Sequence, residues 1–221
     1  MTDINKKYHP DLLLKSDPYK GDGKKLIAIG ASTGGVDAIA KILQTLPRNL
    51  PPIVITQHIP SNFSTSFAQR LNRISELDVY EVREKVILKD SCVYLAAGGL
   101  HMVLKRIRND YYAEPQEGIR ISRHCPSVDV MFRSVNNVAG KNVLAIIMTG
   151  MGDDGSIGIK ELYNNGAYTI AQDEASCVVF GMPKQAIAKG AICEIVGLDS
   201  IGNKIVSFAG GNLKRIINEN D

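Results

Sequence analysis

"LIAIGASTGGVDAIAKIL", residues 26–43, opens as an apolar run, passes through a turn of Gly, Ala, Ser and Thr, and leaves with helical spacing. A continuous apolar run suits a strand buried on both faces, and a glycine-rich turn into a helix makes the first half of a βαβ unit. The alternation continues outward from there. Apolar runs fall at 26–30, 52–57, 92–97, 143–150 and 167–172, with helical periodicity at 34–46, 62–75, 127–139, 155–165 and 182–189. That order predicts an α/β fold, a three-layer α/β/α, doubly wound, mostly parallel sheet. One stretch departs from it: "CVYLAAGGLHMVLKRIRNDYYAE" (92–114) holds three short runs split by GGLH and RND, which predicts an antiparallel hairpin insertion. Residues 198–219 are read as a closing helix, with a break at Ala209-Gly210-Gly211.

The 221 residues suffice for one sizeable core. Residues 1–24 mix Lys and Asp with two prolines and a GDG, and are read as a flexible leader or linker ahead of a domain at 25–221. A net charge of +3, with no Lys/Arg block, gives no argument for nucleic acid. No run approaches the ~18 apolar residues of a membrane span, and no signal pattern opens the chain, so a cytoplasmic location is expected. Cys92, Cys125, Cys177 and Cys193 are scattered, without metal-ligand spacing, and are read as reduced core residues.

In an open α/β sheet, ligands bind beyond the carboxyl ends of the strands. Three unusual loops leave such ends, at 30–35, 57–60 and 149–155, carrying Ser32, His58 and the pair Asp153-Asp154. Gly30-x-Ser32-x-Gly34 has the spacing of a nucleophile elbow, but glycine-rich turns also bind phosphate, and the turn alone fits both. A histidine at the same edge can take the serine proton, and a carboxylate can hold the far ring nitrogen. Asp154 also fits an N-cap of the helix at 155–165, and the acidic pair fits a divalent metal, the weakest of these readings. Together the three loops favour a serine hydrolase over a phosphate- or nucleotide-binding module, because the phosphate-binding Lys of a P-loop is absent. The order Ser, His, Asp differs from that of α/β-hydrolases.

At these residues the chain resembles the catalytic domain of the chemotaxis protein-glutamate methylesterase (CheB) family. The resemblance rests on "IGASTGG" (29–35), "QHIP…F…SFAQRLN" (57–72), "HCPSVDVMFRS" (124–134), "IIMTGMGDDG" (146–155) and "GMPKQAI" (181–187), in order from Lys25 to about Gly197. It implies a serine esterase that needs no cofactor or metal, with Ser32 as nucleophile, His58 as general base and Asp154 as orienting carboxylate. The backbone N–H of Met151, or that of Thr33, is a candidate oxyanion donor from its place beside the triad loops, the alternative being that Met151 only packs its loop. The substrates it implies are glutamate γ-methyl esters on the cytoplasmic helical bundle of chemoreceptors, with methanol released and certain glutamines deamidated. A monomer is expected. Asp153 stands where the family commonly has Asn, and Cys125 where it often has Arg. His124 could be taken for the base, but the resemblance gives that role to His58. A Cys125/His124 nucleophilic pair is set aside for a spectator thiol, because adjacent residues rarely aim at one another. Asp129 and Arg133 are read as a pair across one helical turn. Only about 24 residues precede the first strand, so the family's usual receiver domain, and control by phosphorylation within this sequence, are not expected.

Overall fold

Leu26–Ala31 is buried along its whole length, as an uninterrupted apolar run requires when both faces of a strand are covered. In a computed structural model, which describes residues 6–213, this strand (β1) is central to a seven-stranded sheet. The other strands are β2 (Ile53–Gln57), β3 (Asp78–Val82), β4 (Val86–Ile87), β5 (Cys92–Ala96), β6 (His101–Ile107), β7 (Asp110–Gln116), β8 (Val143–Ile147), β9 (Tyr168–Gln172) and β10 (Glu194–Val196). The helices are α1 (Gly35–Leu43), α2 (Ser61–Ile74), α3 (Val128–Ala139), α4 (Ser156–Asn164), α5 (Met182–Ala188) and α6 (Leu198–Ala209).

The main sheet runs β10-β9-β8-β1-β2-β5-β3, and every pairing in it is parallel. Alternate residues of β1 face opposite layers. Ile27, Ile29 and Ala31 pack with α1, α2 and α6, while Leu26 and Ala28 pack with α3, α4 and α5. The chain leaves β1 for β2 on one side and later returns to pair β8 on the other. That reversal between β1 and β8 opens a crevice at their carboxyl ends. Gly30 is tightly set there: a Cβ on it would lie 2.2 Å from Val128 Cγ1, so the sheet and the start of α3 approach closely only because no side chain intervenes.

Beside the main sheet, β4, β7 and β6 form a small antiparallel sheet that covers α3. The antiparallel insertion is therefore present, but its composition differs from the sequence reading. Strand β5 joins the main sheet, and GGLH carries the chain between sheets instead of turning a hairpin. The closing helix ends at Ala209, where Gly210 and Gly211 stop it; residues 214–219 lie outside the described residues.

Residues 6–24, the described part of the segment read as a leader, lie against the body of the domain. A single 3-10 turn, Pro10–Leu12, brings Asp11 to the guanidinium of Arg133, and Arg133 Nη1 donates to the Leu14 carbonyl at 2.9 Å. Tyr8, Leu13 and Leu14 pack on Val103, Ile121 and Val130. The polar composition hides this docking because it relies on one buried arginine and three apolar side chains. Residues 1–5 lie outside the described residues. Among the described residues, no helix is long and apolar enough to cross a membrane.

Candidate active site

Three strand ends build the site. The turn after β1 carries Ser32, whose N–H donates to the Thr149 carbonyl at 2.9 Å and whose carbonyl accepts from Gly35 N–H at 2.8 Å. Gly34 takes φ 81°, a left-handed conformation that lets the chain enter α1 directly from the turn. The loop after β2 carries His58, tied to β1 by its N–H on the Ala31 carbonyl at 3.1 Å. Gln57 fastens the two loops together: its buried Nε2 donates to the carbonyls of both Ser32, at 2.8 Å, and His58, at 3.0 Å. Gln172, at the end of β9, holds the third loop by accepting Thr149 N–H at 2.9 Å.

Asp154 comes from that third loop and is fully buried. Its Oδ2 lies 2.7 Å from His58 Nε2. It also accepts Val128 N–H at 2.7 Å, Asp129 N–H at 2.9 Å and the Ser127 hydroxyl at 2.8 Å. Asp154 therefore caps a helix, but α3 and not the following helix, whose N-cap Gly155 offers no side chain. Burial alone would raise its pKa. The bond from His58, the histidine's charge and the Asp129 N–H outweigh burial and hold the carboxyl below its usual range.

With Nε2 spent on Asp154, the proton sits on Nε2 and His58 Nδ1 remains as the acceptor. Nδ1 is buried and has no hydrogen-bond partner among the described residues. It is the ring nitrogen left free to accept a proton, and the Ser32 hydroxyl makes no hydrogen bond to it in this structure. Neither Thr33 nor Met151 spends its N–H within the described residues. Thr33 lies at the exposed turn, and Met151 is 67 % exposed in the third loop.

His124 stacks on His58, ring centroids 3.6 Å apart and planes 7° from parallel. Burial and the charge of His58 push its pKa down to about 4, so this second ring stays neutral. Nothing but its position beside Cys125 in the quoted motif marked it in the sequence. Cys125 turns away and donates its thiol to the Gly99 carbonyl at 3.2 Å. All four cysteines are free; Cys92 is buried and the other three are half-buried.

The expected Asp129–Arg133 pair is not made. Asp129 accepts Ile157 N–H and Gly158 N–H, each at 2.9 Å, and so caps α4, while Ser122 Oγ lies 2.8 Å from its other oxygen. Arg133 turns instead to Glu161 and Asp11. Two buried carboxyls thus serve two helix N-termini, Asp154 for α3 and Asp129 for α4. Burial and the charge of Asp154 push Asp129 up to about 8, so the two divide the roles of ion and acid. Asp153, beside Asp154, faces outward to Lys7 and to Arg123 at 3.1 Å.

A family model described as CheB methylesterase matches residues 27–205. A protein-glutamate methylesterase/protein-glutamine glutaminase of Shewanella oneidensis is 46% identical over 204 residues, 91% of this chain and 57% of that protein. One of Geobacter metallireducens is 44% identical over 211 residues, 94% of this chain and 59% of that protein. The chain thus spans less than two thirds of the length of these relatives. Its fold is similar to the crystal structure of the Thermotoga maritima CheB methylesterase catalytic domain, with a TM-score of 0.81 and 35% identity, over 84% of this chain and 98% of that one.

Proposed function

This chain belongs to the CheB methylesterase family, and on that premise we propose that it is a serine hydrolase of glutamate γ-methyl esters on chemoreceptors. Ser32 is the nucleophile, His58 the general base and Asp154 the carboxylate that orients the base. One observation carries the reading: Asp154 occupies His58 Nε2 at 2.7 Å and leaves Nδ1 without a partner, in a loop that Gln57 ties to the Ser32 turn.

Ser32 Oγ attacks the γ-carbonyl while its proton passes to His58 Nδ1. The imidazolium that forms lies between ionised Asp154 and the neutral ring of His124. The oxyanion of the tetrahedral intermediate takes hydrogen bonds from the N–H groups of Thr33 and Met151. Collapse expels methanol, which receives the proton from His58, and leaves an acyl-enzyme on Ser32. Water attacks the acyl-enzyme with the same histidine as base and releases the glutamate. A glutamine side chain enters the same cycle with ammonia as leaving group, which gives deamidation. No step calls for a cofactor.

The receptors' cytoplasmic helical bundle is the partner in this reading, the cytoplasm its place of action and a monomer its working form. Residues 25–221 make the catalytic unit, with residues 1–24 a leader of which the described part, residues 6–24, lies against α3. A serine-directed fluorophosphonate tests the chemistry. The reading expects one adduct on Ser32 by peptide mass analysis, and none in His58→Ala. A phosphate-binding turn without chemistry would leave the wild-type protein unlabelled.

A further inference from the structure

Beside the site lies an open groove of about 470 Å³ between α1 and α2, lined by Val36, Ile59, Phe63, Phe67, Arg70 and Arg73. Its near end adjoins the candidate catalytic residues: Ile59 follows His58 in the chain, and Val36 stands in the first turn of α1, just past the Ser32 loop. Phe63, Phe67 and Arg70 recur at three- and four-residue spacing, so they share one face of α2, and Arg73 extends it. From Phe63 to Arg73 that face runs for about 15 Å, close to three helical turns.

The groove changes character along its length. Near the site it is apolar, and Phe63 is 54 % exposed with nothing over it among the described residues. Val178, 70 % exposed, continues the apolar rim across the Ser32 turn, where it sits against Gly34. At the far end the groove is cationic. Arg70 has only an exposed contact with Asp37 at 3.2 Å, and Arg73 has no acidic partner among the described residues. An apolar end at the chemistry and a cationic end two to three turns away match a helix with an apolar stripe around its ester and carboxylates further along the same face.

We propose that this groove seats an acidic amphipathic helix of the substrate and delivers its esterified side chain to Ser32. The inference rests on the methylesterase reading and assigns the surface that selects the substrate. The uncharged methyl ester enters past the apolar rim, while free carboxylates on the helix pair with Arg70 and Arg73. Recognition is then separate from chemistry, because no groove residue touches the reacting atoms.

Three substrates test it: a helical peptide with one glutamate γ-methyl ester flanked by leucines and two glutamates two to three turns away; an unstructured short peptide with the same ester; and p-nitrophenyl acetate. Phe63→Ser, and the double variant Arg70→Glu with Arg73→Glu, should each lower kcat/KM on the helical peptide about tenfold. Both should leave the two small substrates within about twofold of wild type, and replacing the peptide glutamates by lysines should restore the double variant. Unchanged hydrolysis of the helical peptide by both variants, or an equal loss on all three substrates, overturns the groove assignment alone. So does a wild-type dimer in sedimentation that Phe63→Ser dissociates, since a second copy would then cover the face. A wild-type protein active on p-nitrophenyl acetate but silent on both glutamyl esters overturns the methylesterase reading and the groove assignment with it.

Discussion

Replacing Asp154 by Asn changes one atom and keeps the shape, and the surroundings of that atom set the outcome. The carboxylate receives four donors: His58 Nε2–H and Val128 N–H on Oδ2, Asp129 N–H and Ser127 Oγ on Oδ1. An amide can accept on only one side. If its NH₂ takes the Oδ2 place, Val128 N–H loses its partner and His58 must move its proton to Nδ1, which removes the base. If the NH₂ takes the Oδ1 place, Ser127 can rotate to accept, Asp129 N–H is orphaned, and the imidazolium loses its counter-charge. Either way one buried backbone donor is unsatisfied, which costs about 1–3 kcal/mol of stability. The rate should fall by about 10³–10⁴, equivalent to roughly 4–5.5 kcal/mol of barrier. The assay is kcat for γ-methyl ester hydrolysis, alongside a thermal melt by circular dichroism. A folded variant within tenfold of wild type, or a loss that only tracks its unfolded fraction, would refute the role given to Asp154.

Asp129 and Arg133 supply two further tests. The pKa of Asp129 is raised in the fold to about 8, so its stabilising contribution is complete below the unfolded carboxyl value and is lost as pH rises toward about 8. Asp129→Asn keeps the acceptor for Ile157 and Gly158 and does not titrate. Its melting temperature should gain on wild type by a few degrees between pH 5 and 8, and parallel curves in differential scanning fluorimetry would contradict the assignment. Arg133→Met leaves Glu161 without its partner and frees the segment at Asp11. A loss of about 2–3 kcal/mol in urea unfolding and faster tryptic cleavage after Lys15 and Lys20 are expected. Unchanged cleavage would show that other contacts hold the segment.

The parts legible in the sequence were those where one residue type has one structural use. Continuous apolar runs became the central strands, and three loops with odd residues at strand ends met at the reversal between β1 and β8. Strand β3 was missed because its "DVYEV" is interrupted by Asp78 and Glu81 and half-exposed at the sheet edge, so it is no continuous apolar run. Strands β4 and β10, two and three residues long, are too short to carry a period. The Asp129–Arg133 pairing failed for a different reason. Spacing on one helix reports neighbours on that helix, whereas these side chains serve α4 and the N-terminal segment. The same limit hid Gln57 as the clamp between two loops and His124 as the ring against His58, since both roles exist only once separate loops are brought together.

Methanol release from methylated receptor membranes, compared between the wild-type protein and Ser32→Ala, tests the central claim most directly. The account predicts release by the first and none above background by the second, with both proteins folded. Equal release by the two would contradict it.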